Sequence, residues 1–252
     1  MPTTAKVVVV PKDPGPLNLV DVMLPDPGPH QVVVKQYASG ICHSQLHQMH
    51  AVRENPVVLG HESTGIVLHT GSDVDHVAPG DTVLVTWVPR NATKGGRAAE
   101  AAVLDLPDGS RAISENVFTW ADNTIVDEQY VVKVSADIDR ELTSIIGCAV
   151  MTGAGAVENT ASVKKGDSVA IYGVGGVGLS AVVAAKAVGA NPIIAIDLDD
   201  NKLEFARQFG ATHTINAGEE NPIKVIKKLT TIDDELNMGG RPVSGADFVF
   251  DC

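Results

Sequence analysis

The sequence predicts an α/β protein in two parts: a β-rich first half, then the opening of a doubly wound parallel sheet. Three observations carry this expectation. Up to Val134 the chain is a series of short apolar runs cut by Pro/Gly clusters. From Asp167 onward, strand-like runs alternate with helical ones. Where the first of those strands meets the first helix stands Gly173-Val174-Gly175-Gly176-Val177-Gly178, a G-x-G-x-x-G turn. A length of 252 residues allows two domains with cores of their own. The division is expected at residues 1–149 and 150–252.

In the first half, Lys6 to Val10, Leu17 to Leu24 and Gln31 to Tyr37 read as strands, separated by Pro11–Pro16 and Pro25–Pro29. Thr64 to His69 and Thr82 to Trp87 continue the pattern around a Pro79-Gly80-Asp81 turn. Many short strands with such turns predict a compact barrel or sandwich. Pro89 to Asn116, rich in Ala, Gly and charge, reads as an exposed excursion. Val117 to Trp120 and Ile125 to Val134 are expected to return to strand. Glu141 to Thr160 reads as helical and joins the halves, although its glycines argue against one long regular helix.

The second half opens with a strand, Ser168 to Tyr172, apolar enough to be buried on both faces. The residues after the glycine turn, up to Val188, suit a buried helix ended by Gly189. A second strand, Ile193 to Ile196, ends in Asp197. Gly173 permits the tight turn, Gly175 lets backbone approach a pyrophosphate, and Gly178 lets helix pack closely on strand. The helix N-terminus attracts phosphate, and Asp197 can accept hydrogen bonds from an adenosine ribose. An ordinary glycine-rich turn without a ligand remains the alternative. Asn201 to Phe209 and Pro222 to Leu229 then read as helices, Thr212 to Ile215 and Ala246 to Phe250 as strands, and Thr231 to Gly245 as a loop. The sequence stops at Cys252, where a fourth strand would end, so a partial sheet with weak activity and exposed edge pairing is expected of residues 1–252 alone.

The formal charge of -12, with acidic residues spread along the chain, argues against nucleic acid or an anionic membrane as partner. No run approaches the roughly 18 apolar residues of a membrane helix, and Met1 to Val10 lacks a secretory pattern. Cys42, Cys148 and Cys252 are far apart and odd in number, so they read as reduced thiols of a cytoplasmic protein or as metal ligands. Two clusters could carry chemistry: Gly40-Ile41-Cys42-His43-Ser44-Gln45-Leu46-His47 and Gly60-His61-Glu62. Gly147-Cys148, just before Thr152-Gly153-Ala154-Gly155-Ala156, is a third. Alone, Cys42 is more often a small buried hydrophobe and His61 a hydrogen-bonded structural histidine. Together they raise a Cys₂His site without establishing one.

In combination, G-I-C-H-S, G-H-E-x-x-G, P-G-D-x-V, G-C-A-V-M-T-G-A-G-A and G-V-G-G-V-G with Asp197 resemble the zinc-dependent medium-chain alcohol dehydrogenase family, in order and spacing across nearly the whole chain. The resemblance implies a GroES-like catalytic domain followed by a Rossmann domain. It implies one catalytic zinc on Cys42, His61 and Cys148, with Glu62 close to the metal. Ser44 would take the alcohol proton and His47 would pass it to solvent. His43 would lie near the cofactor pyrophosphate and Thr152 near the nicotinamide. Gly173, Gly175, Gly176, Val177, Gly178, Asp197 and Lys202 would hold NAD, and Trp87 and Trp120 would line the substrate channel. Alone, Ser44 could be a turn hydroxyl, His47 and Lys202 exposed polar residues, and both tryptophans core packing.

Two further departures from the family stand out. Pro89 to Asn116, where a structural-zinc lobe would fall, has no cysteine, so no structural zinc is expected. Gln45 replaces an aspartate that supports the zinc-bound histidine, which puts the strength of the site in question. The expected activity is hydride transfer between a small alcohol or aldehyde and NAD, in a homo-oligomer if the chain continues. A zinc-free reductase of the same superfamily and a non-catalytic nucleotide-binding remnant are the alternatives.

Overall fold

The computed structural model describes residues 3–90, 97–236, 240 and 242–252, with 233–236 by backbone alone. The chain divides into two compact units, Met1–Cys148 and Ala149–Cys252.

The first unit contains β1 (Thr3–Val10), β2 (Asn18–Leu24), β3 (Gln31–Ser39), α1 (His43–His50), β4 (Val57–Val58), β5 (Ser63–Thr70), β6 (Thr82–Val85), β7 (Val103–Asp105), β8 (Arg111–Ile113), β9 (Asn123–Asp127) and β10 (Val131–Lys133). They form two five-stranded sheets, ordered β2-β1-β4-β8-β7 and β10-β6-β5-β3-β9. β3 explains its own Val32-Val33-Val34 run: Val33 enters one core with Val7, Leu104, Phe118 and Ile125. Val32 and Val34 enter the other, with Val67, Val83 and Val126. Side chains alternate across a strand, so an unbroken valine run marks burial on both faces.

Three sequence expectations need correction here. Within the supposed excursion, Val103–Asp105 and Arg111–Ile113 form an antiparallel hairpin that buries Leu104 and Ala112 completely. Alternation in two three-residue strands is too short to stand out from the polar stretch around it; residues 91–96 lie outside the described part. Val117 to Trp120 is not a strand: the Thr119 and Trp120 N–H groups both donate to Leu59 O, and Phe118 is buried. Ile125 to Val134 is not continuous either. A 3₁₀ turn, Glu128–Tyr130, interrupts it, because the Asp127 carboxylate accepts from the Gln129 N–H and caps the turn. The helix α1 and the short β4 had no counterpart in the sequence reading.

From Leu142 to Thr160 the backbone stays helical, as expected, but changes pitch. A 3₁₀ turn (Leu142–Ile145) leads to a π turn (Ile146–Val150), α2 (Met151–Gly155) and a second π turn (Ala156–Thr160). The second unit continues with β11 (Val169–Tyr172), α3 (Gly176–Val188), β12 (Ile193–Asp197), α4 (Asp200–Phe209), β13 (His213–Asn216), α5 (Pro222–Leu229), β14 (Ile232–Leu236), β15 (Pro242–Val243) and β16 (Phe248–Asp251). Four strands make a parallel sheet ordered β13-β12-β11-β16. Val169, Ile171, Ile193 and Ala195 pack against α3 and α4 through Ala181, Val182, Ala185, Leu203 and Ala206. Ala170, Ile194 and Ile196 face the other way, toward Ile226 of α5. Both faces are covered, which is why these strands are continuously apolar. β14 and β15 pair with each other in the stretch read as a loop, another correction; residues 237–239 and 241 lie outside the described part.

Candidate active site

Three separate pieces of the first unit deliver Cys42, His61 and Cys148, and each is held by close backbone packing. Cys42 is the N-cap residue of α1, and its N–H donates to Gln45 Oε1 at 2.8 Å. His61 follows Gly60, which has φ +99; a Cβ there would lie 2.6 Å from the Trp120 nitrogen and 2.7 Å from that of Thr119. Cys148 sits in the π turn beside Gly147, whose carbonyl accepts from the Thr86 hydroxyl at 2.7 Å. A Cβ on Gly147 would lie 2.6 Å from Val85 O. The donor atoms of the three residues lie within 4.8 Å of one another.

This donor set fits zinc. The two Sγ atoms are 3.9 Å apart. Two sulfurs about 2.3 Å from a common tetrahedral ion would be about 3.8 Å apart. Burial lowers the His61 pKa and favours the neutral ring a ligand must have, and its buried Nε2 has no hydrogen-bond partner. The Cys148 thiol is pushed up to about 12, first by burial and then by negative charge at Cys42 and Glu62, against a hydrogen bond from Trp87. Without a cation Cys148 is thus a neutral thiol; a zinc ion held between the two sulfurs would favour its thiolate. Glu62 is 2 % exposed.

The cluster opens on a cavity of about 350 Å³, lined by Cys42, Ser44, His61, Trp87 and Cys148 with Val58, Leu59, Val117, Gln48, Glu115 and Asn116. Ser44 donates its hydroxyl to Cys42 Sγ at 3.3 Å. The Trp87 ring meets the His61 ring edge-on at 6.5 Å between centroids. His43 and His47 are exposed on α1, their rings 5.2 Å apart. Trp120 does not line the cavity. Gln45 is completely buried; its Oε1 is taken by Cys42, and its Nε2 has no partner.

The second unit carries the glycine turn. Gly173 has φ +79, a backbone conformation that favours glycine. A Cβ on Gly178 would collide with Gly173 O, so α3 approaches β11 only through a glycine. Gly175 is the N-cap of α3 and faces open space, and no side chain caps that helix. Its first N–H groups, with Gly176 and Val177, are thus available to an anion. Asp197 Oδ2 accepts from the Val174 N–H at 3.0 Å, and Oδ1 from Leu198 at 2.8 Å and Asp199 at 3.1 Å. Burial would raise its pKa, but these donors and Lys202, 3.9 Å away, outweigh that and hold it below the usual range. Asp197 thus ties the glycine turn to the end of β12 as an anion. Thr152 is exposed on α2.

Comparison with known proteins gives the same picture. Residues 28–136 match the profile of the alcohol dehydrogenase GroES-like domain, and residues 176–252 that of the zinc-binding dehydrogenases. An S-(hydroxymethyl)glutathione dehydrogenase of Escherichia coli O1:K1 / APEC is 35% identical over 237 residues, 84% of this chain and 64% of its own length. The chain belongs to the zinc-type medium-chain alcohol dehydrogenase family. It spans 64% of the length of the curated relatives it matches. A zinc-binding-domain alcohol dehydrogenase of Burkholderia ambifaria superposes with a TM-score of 0.87 at 29% identity, covering 100% of this chain and 71% of that one. The benzyl alcohol dehydrogenase of Acinetobacter calcoaceticus gives 0.80 at 29% identity, covering 99% and 70%. The fold of this chain is therefore a GroES-like β unit and a partial Rossmann sheet.

Sequence reading missed Gln48, Glu115 and Asn116 in the cavity wall. Gln48 follows Ser44 by one helical turn, a signal readable only once α1 is recognised. Gln48 Nε2 donates to Glu115 Oε2 at 3.1 Å. Glu115 left no signal in the sequence, since it is brought to the cavity by the chain after the unforeseen hairpin. Among the described residues, no helix is long and apolar enough to cross a membrane.

Proposed function

We propose that this dehydrogenase interconverts a hydrophobic or aromatic primary alcohol and its aldehyde, with NAD as cofactor and one zinc held by Cys42, His61 and Cys148. The observation that carries the proposal is the convergence of those three donors at the wall of a cavity that also exposes Ser44. When bound, zinc supplies Lewis-acid polarisation of a substrate oxygen and NAD supplies a hydride acceptor. The protein's own residues do the rest. Ser44 Oγ would take up the alcohol proton as it gives up its own hydroxyl proton, and His47, exposed on the same helix, would release a proton to solvent. Glu62 adds buried negative charge close to the cation-binding thiols. Trp87, Val58, Leu59 and Val117 give the cavity an apolar wall that favours a hydrophobic substrate over a hydrated polyol. Trp120 has no part in that wall. Gly173 to Gly178 and the start of α3 would hold the pyrophosphate, and Thr152 would lie near the nicotinamide. Asp197 and Lys202 would hold the ribose.

A substrate panel tests this reading. Benzylic and long-chain primary alcohols are expected to give higher kcat/KM than polyols, and Ser44→Ala to lower kcat with little change in KM. Preference for sorbitol-like compounds would overturn the substrate class, and unchanged kcat in Ser44→Ala the proton route.

A further inference from the structure

A second cluster of donors lies in the first unit, outside the cavity. Asp75 and His76 are in the turn between β5 and β6, and Glu128 is in the 3₁₀ turn between β9 and β10. Donor atoms of the three lie within 4.8 Å of one another. The backbone holds both turns in place: Asp73 N–H donates to Pro29 O, and Glu128 N–H donates to His30 O.

The tautomer of His76 is fixed by its surroundings. Nε2 lies 3.1 Å from Val131 O, and a carbonyl can only accept, so Nε2 carries the hydrogen. Nδ1 of the neutral ring is then a bare lone pair. It is buried, has no hydrogen-bond partner, and faces Glu128 Oε2 at 3.4 Å. That separation is within ion-pair range, yet the geometry is not that of a hydrogen bond. The other carboxylate oxygen of Glu128 is engaged with His30 Nδ1 at 2.8 Å. Two lone pairs aimed at each other in a half-buried site repel unless a proton or a metal cation lies between them. Two N/O donors about 2.1 Å from one tetrahedral ion would be about 3.4 Å apart, the observed distance. A histidine that gives its other N–H to a backbone carbonyl is also arranged as metal-binding histidines are. Four carboxylates, Asp73, Asp75, Asp127 and Glu128, share this region with the Arg97 guanidinium, which is bonded to Asp127 at 2.7 and 2.9 Å and lies 3.9 Å from Glu128 Oε1, while His30 faces Asp73 and Glu128.

We infer that Asp75, His76 and Glu128 form a second metal site, for a divalent first-row transition ion of the zinc class. The nitrogen donor and small ligand number disfavour calcium and magnesium. Donor spacings of up to 4.8 Å have to shorten to about 3.4 Å to complete the set, a movement that falls to the exposed Asp75 side chain. Bound there, the ion would join the β5–β6 turn to the β9–β10 turn. With no thiolate among its ligands, this site is expected to bind more weakly than the cysteine site.

Cobalt titration of the whole protein, first stripped with a chelator, tests the inference. Thiolate charge-transfer absorption reports the cysteine site; weaker bands without it report an N/O site. The expected result is a second cobalt equivalent without the thiolate signature, retained in Cys42→Ala. Asp75→Asn, a change at an exposed side chain, and His76→Gln should each weaken that equivalent at least about tenfold while sparing the thiolate signal. The inference is overturned if no N/O-type equivalent binds, as would follow if a proton simply occupies Nδ1. It is equally overturned if the equivalent binds unchanged in both variants. Because the two signatures are separate, failure of the cysteine-site reading and failure of this one are told apart.

Discussion

Gly60 shows how a single residue aims the chemistry. Its φ of +99 and its contact with the Thr119 and Trp120 nitrogens leave no room for a side chain, and the turn it makes presents His61 to the thiols. Gly60→Ala is expected to cost about 1–3 kcal/mol or more, combining left-handed strain with overpacking against backbone. Denaturant unfolding measures it, and a variant as stable as the wild type would show that the loop relaxes freely. At this scale much of the site was legible. Cys42, His61 and Cys148 each stand in a glycine-marked motif, and the geometry brings all three together. What sequence could not show is which oxygens and nitrogens are spent. Gln45 binds its own helix N-terminus, and Asp197 holds the glycine turn; neither bond is written in residue spacing.

At the scale of elements, the junction between β9 and β10 depends on Asp127. Burial alone would raise its carboxyl pKa, but the Arg97 guanidinium and the Glu100 and Gln129 N–H groups outweigh burial and hold it below the usual range. A carboxyl whose folded pKa is depressed contributes stability at pH above its unfolded value, about 3.9, and loses it as pH falls through the folded value. Stability should therefore decline below about pH 4, and less steeply in Asp127→Asn. Arg97→Ala should cost about 2–3 kcal/mol at neutral pH, less than the 3–5 of a fully buried pair because a third of the Arg97 side chain is exposed. Thermal unfolding across pH decides it: identical acid profiles for wild type and Asp127→Asn would contradict the assignment. Long periodic elements such as α3, α4 and α5 were readable from pattern. The hairpin β7–β8, the helix α1 with its polar faces, and the 3₁₀ and π turns around Cys148 were not, because each is set by tertiary partners rather than by its own periodicity.

At the scale of the whole molecule, cofactor choice and metal dependence follow from the two units taken separately. Asp197 is kept anionic by three N–H donors, and the neighbouring Leu198 is exposed and apolar. A 2′-phosphate would meet that charge with, among the described residues, Lys202 as the cation beside Asp197, so NAD should bind at least about tenfold more tightly than NADP. Fluorescence titration with both cofactors checks this, and equal affinity would refute it. The two-part architecture was legible because alternating burial writes itself into β3 and β11–β12 as unbroken apolar runs. The central claim is that Cys42, His61 and Cys148 hold the zinc on which alcohol oxidation depends. Its most direct test follows tightly bound zinc and NAD-dependent alcohol turnover together through chelation and zinc add-back, in wild type and in Cys42→Ala. Zinc and activity should fall and return in parallel in the wild type, and Cys42→Ala should recover neither. Full turnover by zinc-free wild-type protein, or by Cys42→Ala, would contradict the account.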